Sequence, residues 1–225
     1  MVVLLTGIAL LAVACGGGGD GSGQATDTIL APDGTVTTTA PATTAAPKKI
    51  VTIPGMPGVP DQSNLYSEIK TDNFAPATKG ALTRVYVPNR AGNTVSVIDP
   101  ATMQVVDTFK VGLNPQHVVP SWDLSTLWVT NNAEGTTDGT LTPIDPKTGK
   151  PGQSVVVDDP YNMYFTPDGK YAINVAEARK RLDFLDPHTM KVISSLEVPG
   201  CDGINHADFT IDGKFVLFKI GRAHV

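Results

Sequence analysis

Short apolar segments alternate with turn residues through residues 82–218. In one unit the apolar segments fall at about residues 116–120, 126–131, 139–145 and 152–157. Each is rich in Val, Ile, Thr or aromatic residues and is bounded by Pro, Gly, Asn or Asp, while no window shows a helical period. This pattern predicts four short β-strands in each unit.

The unit recurs along the chain. Similar aromatic and aliphatic strand motifs begin at Tyr86, Trp128, Ala172 and Phe215, at steps of about 42 to 44 residues. The aligned motifs are Tyr86-Val87-Pro88-Asn89, Trp128-Val129-Thr130-Asn131, Ala172-Ile173-Asn174-Val175 and Phe215-Val216-Leu217-Phe218. Four strands per repeat at this period indicate β-propeller blades. We therefore expect an all-β fold with about three four-stranded blades, which is an incomplete propeller.

Two series of aspartates keep the same step and are expected to form turns. Asp123, Asp168 and Asp212 lie just before the strand motifs, the last two in Asp-Gly pairs that favour tight hairpins because glycine adopts positive φ without strain. The other series closes Ile-Asp-Pro or Leu-Asp-Pro turns. It consists of Asp99, Asp145 and Asp186.

These motifs resemble a known repeat. Tyr86-Val87-Pro88-Asn89, followed by residues 93–99 and then by Trp128-Val129-Thr130-Asn131, is similar to the YVTN β-propeller repeat of secreted and surface proteins of bacteria and archaea. The resemblance covers residues 82–218. It implies the fold much more than the function.

The repeats predict that the protein extends beyond this chain. Residues 82–218 hold about three repeats, whereas propellers normally close with about four to eight blades. The last residues, 219–225, break the strand pattern and match the translation of a common sequencing-adapter oligonucleotide. We therefore expect a non-native tail at 219–225 and a genuine sequence that continues after Phe218.

The N-terminal residues predict export. Residues 2–14 form an apolar run that is too short to span a bilayer, which is typical of the signal segment assigned here to residues 1–14. Ala12-Val13-Ala14-Cys15 resembles a bacterial lipobox, in which the cysteine thiol is acylated. The same residues also satisfy the Ala-x-Ala rule of ordinary secretion. We expect an extracytoplasmic protein that is either anchored by lipid at Cys15 or secreted.

A change in composition separates this segment from the repeats. Residues 15–60 begin with a Gly run and continue with Thr, Ala and Pro, without apolar periodicity. Such a segment cannot bury enough surface to offset its ordering entropy, which predicts a disordered linker. The predicted propeller domain then occupies residues 61–218.

The net charge and the motifs of the sequence exclude several classes of function. The formal net charge is −5 and 17% of the residues are charged, so we expect no binding to nucleic acid. No glycine-rich phosphate loop, His-Glu-x-x-His motif or Gly-x-Ser-x-Gly motif is present in the sequence. The chain is therefore expected not to be an enzyme of these classes.

One repeat-register position is a candidate site. His117, Asn162 and His206 are separated by 45 and 44 residues and fall at the start of the strand expected beside the central channel. A ring of imidazole and amide groups there could hold a metal, a haem or an anionic ligand. The alternative is that these groups satisfy backbone atoms of the loops. Cys201 lies five residues before His206, and we expect a half-buried structural cysteine there.

Two functions follow from these observations. The leading hypothesis is a binding or scaffold module at the cell envelope, without a cofactor, whose partner is a polysaccharide, a protein or another envelope component. The alternative is an extracytoplasmic enzyme or redox protein with haem or a divalent metal. The repeats are also similar to the haem-binding propellers of dissimilatory nitrite reductases and to lactonase-type propellers, although a c-type haem attachment motif and an obvious acid/base pair are missing from this sequence.

Overall fold

The computed structural model describes residues 49–136 and 138–221, together with the backbone of residues 28–30 and 36–38. The predicted signal segment and Cys15 lie outside the described residues. Within the predicted linker, β1 (Thr28–Leu30) pairs with β2 (Val36–Thr38) in an antiparallel hairpin. No helix in the described part of the chain is long and apolar enough to cross a membrane.

The chain divides into two compact units, of which one holds the β1–β2 hairpin and the other, from Ile50 onward, contains the repeats. Its strands form sheets of antiparallel neighbours in chain order, with one turn of 3-10 helix at Pro76–Thr78 before them. The first blade consists of β3 (Val85–Asn89), β4 (Thr94–Asp99) and β5 (Gln104–Lys110). The second consists of β6 (Pro115–Pro120), β7 (Leu127–Asn131), β8 (Thr140–Ile144) and β9 (Val155–Val156), and the third of β10 (Pro160–Phe165), β11 (Ala172–Ala176), β12 (Arg181–Leu185) and β13 (Val192–Glu197). The fourth consists of β14 (Ala207–Phe209) and β15 (Val216–Phe218).

This arrangement confirms the predicted fold class. The second and third blades are four-stranded meanders, whereas the first has three strands and the fourth has two. The chain is thus all-β, with complete blades flanked by incomplete ones. The strands predicted for the second blade are all present, although its outermost strand is shorter than predicted and reduces to Val155–Val156.

The register of the third repeat differs by one residue from the sequence alignment. Leu127 lies opposite Ile144, and Ala172 lies opposite Leu185, which closes the matching turn. Ala172 therefore corresponds to Leu127 and not to Trp128. At the position of Tyr86 and Trp128, β11 has Ile173, so the aromatic residue that guided the alignment is missing there. Since side chains alternate between faces, a shift of one residue exchanges the two faces of the strand. The fourth repeat differs by two residues, because Val216 lies opposite Phe209 as Ala172 lies opposite Phe165, and Leu217 rather than Phe215 is the equivalent of Trp128.

The turns between the first and second strands have the same hydrogen bonds in three blades. In the third blade, the Thr166 hydroxyl donates to Asp168 Oδ1 (2.5 Å) and accepts from the Tyr171 backbone N–H (3.0 Å). Ser121 with Asp123 and Thr210 with Asp212 repeat the pattern. The aspartates are therefore turn formers, as predicted.

The aspartates of the Ile-Asp-Pro turns are also structural. In each turn the carboxylate accepts the backbone N–H two residues later, at 2.9 Å for Asp99, 2.7 Å for Asp145 and 2.9 Å for Asp186. These bonds satisfy groups that the turn would otherwise leave unpaired.

The hydrophobic core lies between blades. Val95, Val129 and Ile144 pack together between the first and second blades, with Tyr86 and Phe109 against them. Equivalent clusters form at the next two boundaries. They contain Leu141, Met163 and Leu185 between the second and third blades, and Ile173, Leu182 and Ile204 between the third and fourth. Each blade thus buries its faces only by stacking on its neighbours.

Residues 50–66, here called the strap, cross the turns of three blades. The Ile53 N–H donates to the Asp168 carbonyl (2.9 Å), and the Leu65 N–H donates to the Ile211 carbonyl (2.7 Å). A Cβ built on Gly55 would lie 3.6 Å from the Trp122 ring of the second blade. The predicted linker extended to residue 60, so part of the strap falls within it.

The strap is closed by one glutamine. Gln62 Oε1 accepts the Ile50 N–H (2.7 Å), while its Nε2 donates to the carbonyls of Val59 (3.2 Å) and Ile50 (3.4 Å). At its end, the Tyr66 hydroxyl donates to the Phe209 carbonyl (2.9 Å) and also contacts Asp208. The strap therefore joins blades that are not neighbours in the stack.

Candidate functional site

The candidate site lies where the inner strands of the blades begin. In β6 the pairing steps from Pro115↔Asn131 to His117↔Thr130, so Gln116 is an extra, bulged residue. In β10 the same step leaves Tyr161 unpaired. A β-bulge turns the extra side chain away from its ordinary face. Both bulged side chains line a common cavity.

This axial cavity has a volume of about 790 Å³, within the range of small-molecule sites. Its wall is built from equivalent positions of successive blades. Gln116 and Tyr161 lie at the starts of β6 and β10, and Asn205 takes the equivalent position before β14. Arg90, Asn132 and Glu177 directly follow β3, β7 and β11, which correspond to one another because Val85 pairs with Ile98 as Leu127 pairs with Ile144. The strap binds at the opposite ends of the inner strands, so it does not occupy the cavity.

Asp159 is a buried carboxylate in this wall. Its residue is 2% exposed, and its Oδ2 accepts the backbone N–H groups of Ala178 (2.6 Å) and Arg179 (3.1 Å). The pKa of Asp159 is raised to about 6, mainly by burial and also by the nearby charges of Asp158 and Glu177, while the two N–H bonds act in the opposite direction.

Asp159 also has an unusual backbone. Its φ of 45° is left-handed, and the equivalent positions of the neighbouring blades share this conformation, with φ values of 50° at Asn114 and 72° at Gly203. Asn, Asp and Gly are the residues that tolerate this region best. The three residues precede the inner strands, so the same kink leads each blade into the cavity wall.

Polar pairs surround the opening. Arg90 forms an ion pair with Glu134, and Lys180 Nζ lies 3.1 Å from Asp202. The Gln116 amide donates to Asn132 Oδ1 (3.2 Å), which links two bulge-side positions. The described wall therefore offers carboxylates, amides and an aromatic ring.

Two of the three residues predicted for the site come together. The rings of His117 and His206 are 5.2 Å apart between centroids, and Tyr161 lies 5.2 Å from His117 and 6.0 Å from His206, all in edge contacts. His206 lines the cavity. His117 lies behind it, with Nδ1 2.9 Å from the Tyr161 carbonyl, to which it donates. Burial lowers the pKa of His117, and the neighbouring His206 lowers it further.

Asn162 takes a different position. It is 5% exposed, its amide donates to the Tyr164 hydroxyl (2.9 Å), and its Oδ1 accepts the Met163 N–H (2.8 Å). Its polar atoms therefore satisfy groups of its own strand and do not line the cavity.

Carboxylates and imidazoles bind a metal ion when several of them converge on one point. No group of three His, Cys, Asp or Glu side chains with suitable geometry occurs among residues 49–136 and 138–221. Cys201 is half-buried and packs with the cluster of Ile173, Leu182 and Ile204. The wall offers hydrogen-bonding groups to a polar ligand.

Comparison with known proteins identifies the fold family. A sequence model described as a YNCE-like beta-propeller matches residues 68–217. The chain belongs to the YNCE-like β-propeller family. A search of curated proteins found no match to this YNCE-like propeller.

The chain is similar to parts of two solved structures. Kuenenia stuttgartiensis hydrazine synthase is 20% identical over 65% of this chain and 41% of that chain, with a TM-score of 0.52. Dihydro-heme d1 dehydrogenase NirN in complex with DHE is 14% identical over 62% of this chain and 30% of that chain, with a TM-score of 0.47. This YNCE-like propeller thus spans less than half of either chain, and the likeness shows the fold alone.

Sequence reasoning found His206 but missed the other residues that face the cavity. His117, Asn162 and His206 do occupy equivalent positions of their blades, as their spacing predicted. In this YNCE-like propeller, however, Gln116, Tyr161 and Asn205, the residues before them, reach the cavity as well as His206. A usable signal was present in Asn114-Pro115 and Asp159-Pro160, because such dipeptides mark an irregular backbone ahead of a strand.

Proposed function

We propose that the chain is a YVTN-type propeller that is held at the outer side of the cell membrane and binds a component of the cell envelope in its axial cavity. The observation that carries this proposal is the cavity wall, to which successive blades contribute side chains from equivalent positions. Repetition of a polar position around one opening is typical of a binding site in propellers.

The anchor rests on the sequence. Ala12-Val13-Ala14-Cys15 resembles a lipobox, and the Thr, Ala and Pro segment that follows suits a tether. The propeller unit begins at Ile50, on the side of the turns between the first and second strands, where Gln62 accepts the Ile50 N–H. The cavity lies at the other ends of the inner strands and stays open to a ligand.

The anchor is tested by metabolic labelling with a fatty-acid analogue in a bacterial host. The wild-type chain is expected to carry the label in the membrane fraction, and Cys15→Ser is expected to lose both the label and the membrane association. Cys201→Ser is the matched control and keeps the label. A Cys15→Ser variant that remains labelled would refute the lipid anchor.

Binding to the envelope is tested by cosedimentation of the purified chain with cell-envelope fractions. Tyr161→Ala removes a ring from the cavity, whereas Tyr171→Ala removes one that packs on Phe184 in the third blade, at a ring distance of 5.9 Å. We expect cosedimentation to fall for Tyr161→Ala and to persist for Tyr171→Ala. Equal cosedimentation of both variants and the parent contradicts a role for the cavity.

A second candidate is a redox or metal-dependent propeller. It is favoured by the two imidazoles of His117 and His206, which lie 5.2 Å apart. The wall does not fit a haem well, because Ala178 is the largest aliphatic side chain among its described residues and a porphyrin needs apolar walls. Elemental analysis, absorbance after addition of haem and a lactone hydrolysis assay test this candidate. Bound metal or haem that is lost in His206→Ala would favour it over the first proposal.

A further inference from the structure

We infer that the axial cavity binds a neutral, short oligosaccharide. This inference rests on the proposed function and names the ligand class of the same site. It is carried by three properties of the described wall, which are its lack of large apolar side chains, its excess of carboxylates and the aromatic ring at its bulged position.

The polarity of the wall excludes strongly apolar ligands. Its described residues contain no Leu, Ile, Val, Met or Phe side chain, so an acyl chain or a flat apolar cofactor would leave its surface against polar groups. Gln116, Asn132 and Asn205 instead contribute amides to the wall. Asn132 Oδ1 already accepts from Gln116 and Asn205 Oδ1 accepts the His206 N–H (2.7 Å), but a carbonyl oxygen has a second lone pair and each amide nitrogen has two donors. Hydroxyl groups also donate and accept, so amides pair with them in either direction.

The charge of the wall disfavours anionic ligands. Glu134, Asp159, Glu177 and Asp202 outnumber Arg90 and Lys219. The charges of Arg90 and Glu134 offset each other, as do those of Lys180 and Asp202, so the excess of negative charge comes from Asp159 and Glu177. Lys219 belongs to the predicted non-native tail, and a wall without it would be more acidic. A phosphorylated or uronic-acid glycan would therefore meet net repulsion, whereas carboxylates are good acceptors for neutral hydroxyl groups.

The third property of the wall is the aromatic ring of Tyr161. Tyr161 lies at the bulge, and its ring makes T-shaped contacts with the rings of His117 and His206. A pyranose has an apolar C–H face that can pack on such a ring, and its hydroxyls point outward toward polar partners. The bonds from Thr130 and His117 go to the Tyr161 carbonyl and not to its side chain, so the ring can be replaced without removing them.

The test is calorimetric titration of the purified chain with neutral gluco-oligosaccharides and N-acetylglucosamine oligosaccharides, and with matched uronic-acid oligosaccharides. We expect saturable binding of at least one neutral series and about tenfold weaker or no binding of the acidic one. Tyr161→Ala is expected to weaken neutral binding about tenfold, the loss expected from removing a stacked ring. Asn205→Ala gives an independent variant, and Asn73→Ala, an exposed amide bonded to the Glu68 carbonyl, is its matched control.

The outcomes separate this inference from the proposed function. No binding of neutral glycans, or tighter binding of the acidic series, overturns the ligand class. If envelope cosedimentation still depends on Tyr161, the proposed function stands without it. If neither cosedimentation nor glycan binding depends on Tyr161 and Asn205, both proposals fall. Circular dichroism and thermal unfolding of each variant confirm that the fold is retained.

Discussion

At the scale of single residues, the repeated turns show where one blade departs from its neighbours. The fourth residue of the turn between the first and second strands has φ values of 73° at Gly169 and 65° at Gly213, and 61° at Leu124. A Cβ is strained in this left-handed region. The second blade thus carries a strain that the third and fourth avoid.

Leu124→Gly is expected to stabilise the chain. Relief of the left-handed strain should raise the free energy of unfolding by about 0.5–1 kcal/mol, after the extra freedom of glycine in the unfolded chain is counted. Urea unfolding followed by fluorescence of Trp122 and Trp128 measures the change. Ser125→Gly, at the next position, has no positive φ to relieve and should destabilise. Equal loss of stability in both variants would contradict the strain at Leu124.

The pKa of Asp159 leads us to expect that this carboxyl group lowers the free energy of unfolding as the pH rises, whereas most carboxylates raise it. Its pKa is about 6 in the folded chain, above the ordinary value of 3.8, so the folded chain holds this proton more tightly than the unfolded chain. Stability from this group is therefore present below pH 4 and is lost as the pH rises through about 6.

Asp159→Asn should remove this dependence, because Asn114 fills the equivalent position in the second blade with a similar φ. A pKa shift of this size corresponds to a free energy of about 3 kcal/mol. Because solvent in the open cavity screens the charge, we expect Asp159→Asn to raise the free energy of unfolding at pH 8 by about 1–2 kcal/mol. Urea unfolding at pH 5 and pH 8 measures it. Asp158→Asn, which breaks ion pairs with Arg179 and Arg181, should lower stability. An Asp159→Asn variant less stable than the parent at pH 8 would refute the prediction.

At the scale of elements, sequence patterns predicted which strands form but not how β11 and β15 align with the strands of the other blades. Apolar period and turn residues located β6 to β9, because both depend on local chemistry. The register of β11 and the bulges of β6 and β10 depend on cross-strand pairing, which a period alone does not define. For this reason the site prediction found His117 and His206 but missed Tyr161.

The strap is an element that sequence patterns did not reveal, since its contacts are long-range. Gln62→Ala removes the three bonds that close it on Ile50 and Val59. The loss should be about 1–2 kcal/mol, most of it local, because these bonds are partly buried. We expect faster limited proteolysis within residues 50–62, mapped by mass spectrometry. Gln104→Ala, at the exposed start of β5, is the control. Unchanged cleavage in Gln62→Ala would show that the glutamine does not hold the strap.

At the scale of the whole unit, stability resides in the boundaries between blades. The Tyr161 carbonyl of the third blade accepts from the Thr130 hydroxyl (2.9 Å) and from His117 Nδ1 (2.9 Å) of the second. Thr130 is fully buried and also accepts the His117 N–H (3.1 Å). A polar bridge thus joins the two complete blades beside the cavity, where an apolar contact would leave backbone groups unpaired.

This bridge makes the boundary sensitive to acid. The pKa of His117 lies below its ordinary value of 6.5 because of burial, so the folded chain favours the neutral ring. Its contribution is fully present above pH 6.5 and is lost as the pH falls, whereas that of Asp159 is lost as the pH rises. Between about pH 4 and pH 6.5 the two effects oppose each other in the parent chain.

Single variants should expose each effect. Relative to the parent, His117→Gln keeps a donor for the Tyr161 carbonyl but cannot be protonated, so its stability should improve toward acid pH. Asp159→Asn should become relatively less stable toward acid pH. The urea midpoint of each variant is compared with that of the parent at the same pH. This subtraction removes the contribution of the turn aspartates, which is the same in the parent and in both variants. Urea midpoints from pH 4 to pH 8 test this. Parallel curves for parent and both variants would mean that neither buried group sets the acid response of the blade boundary.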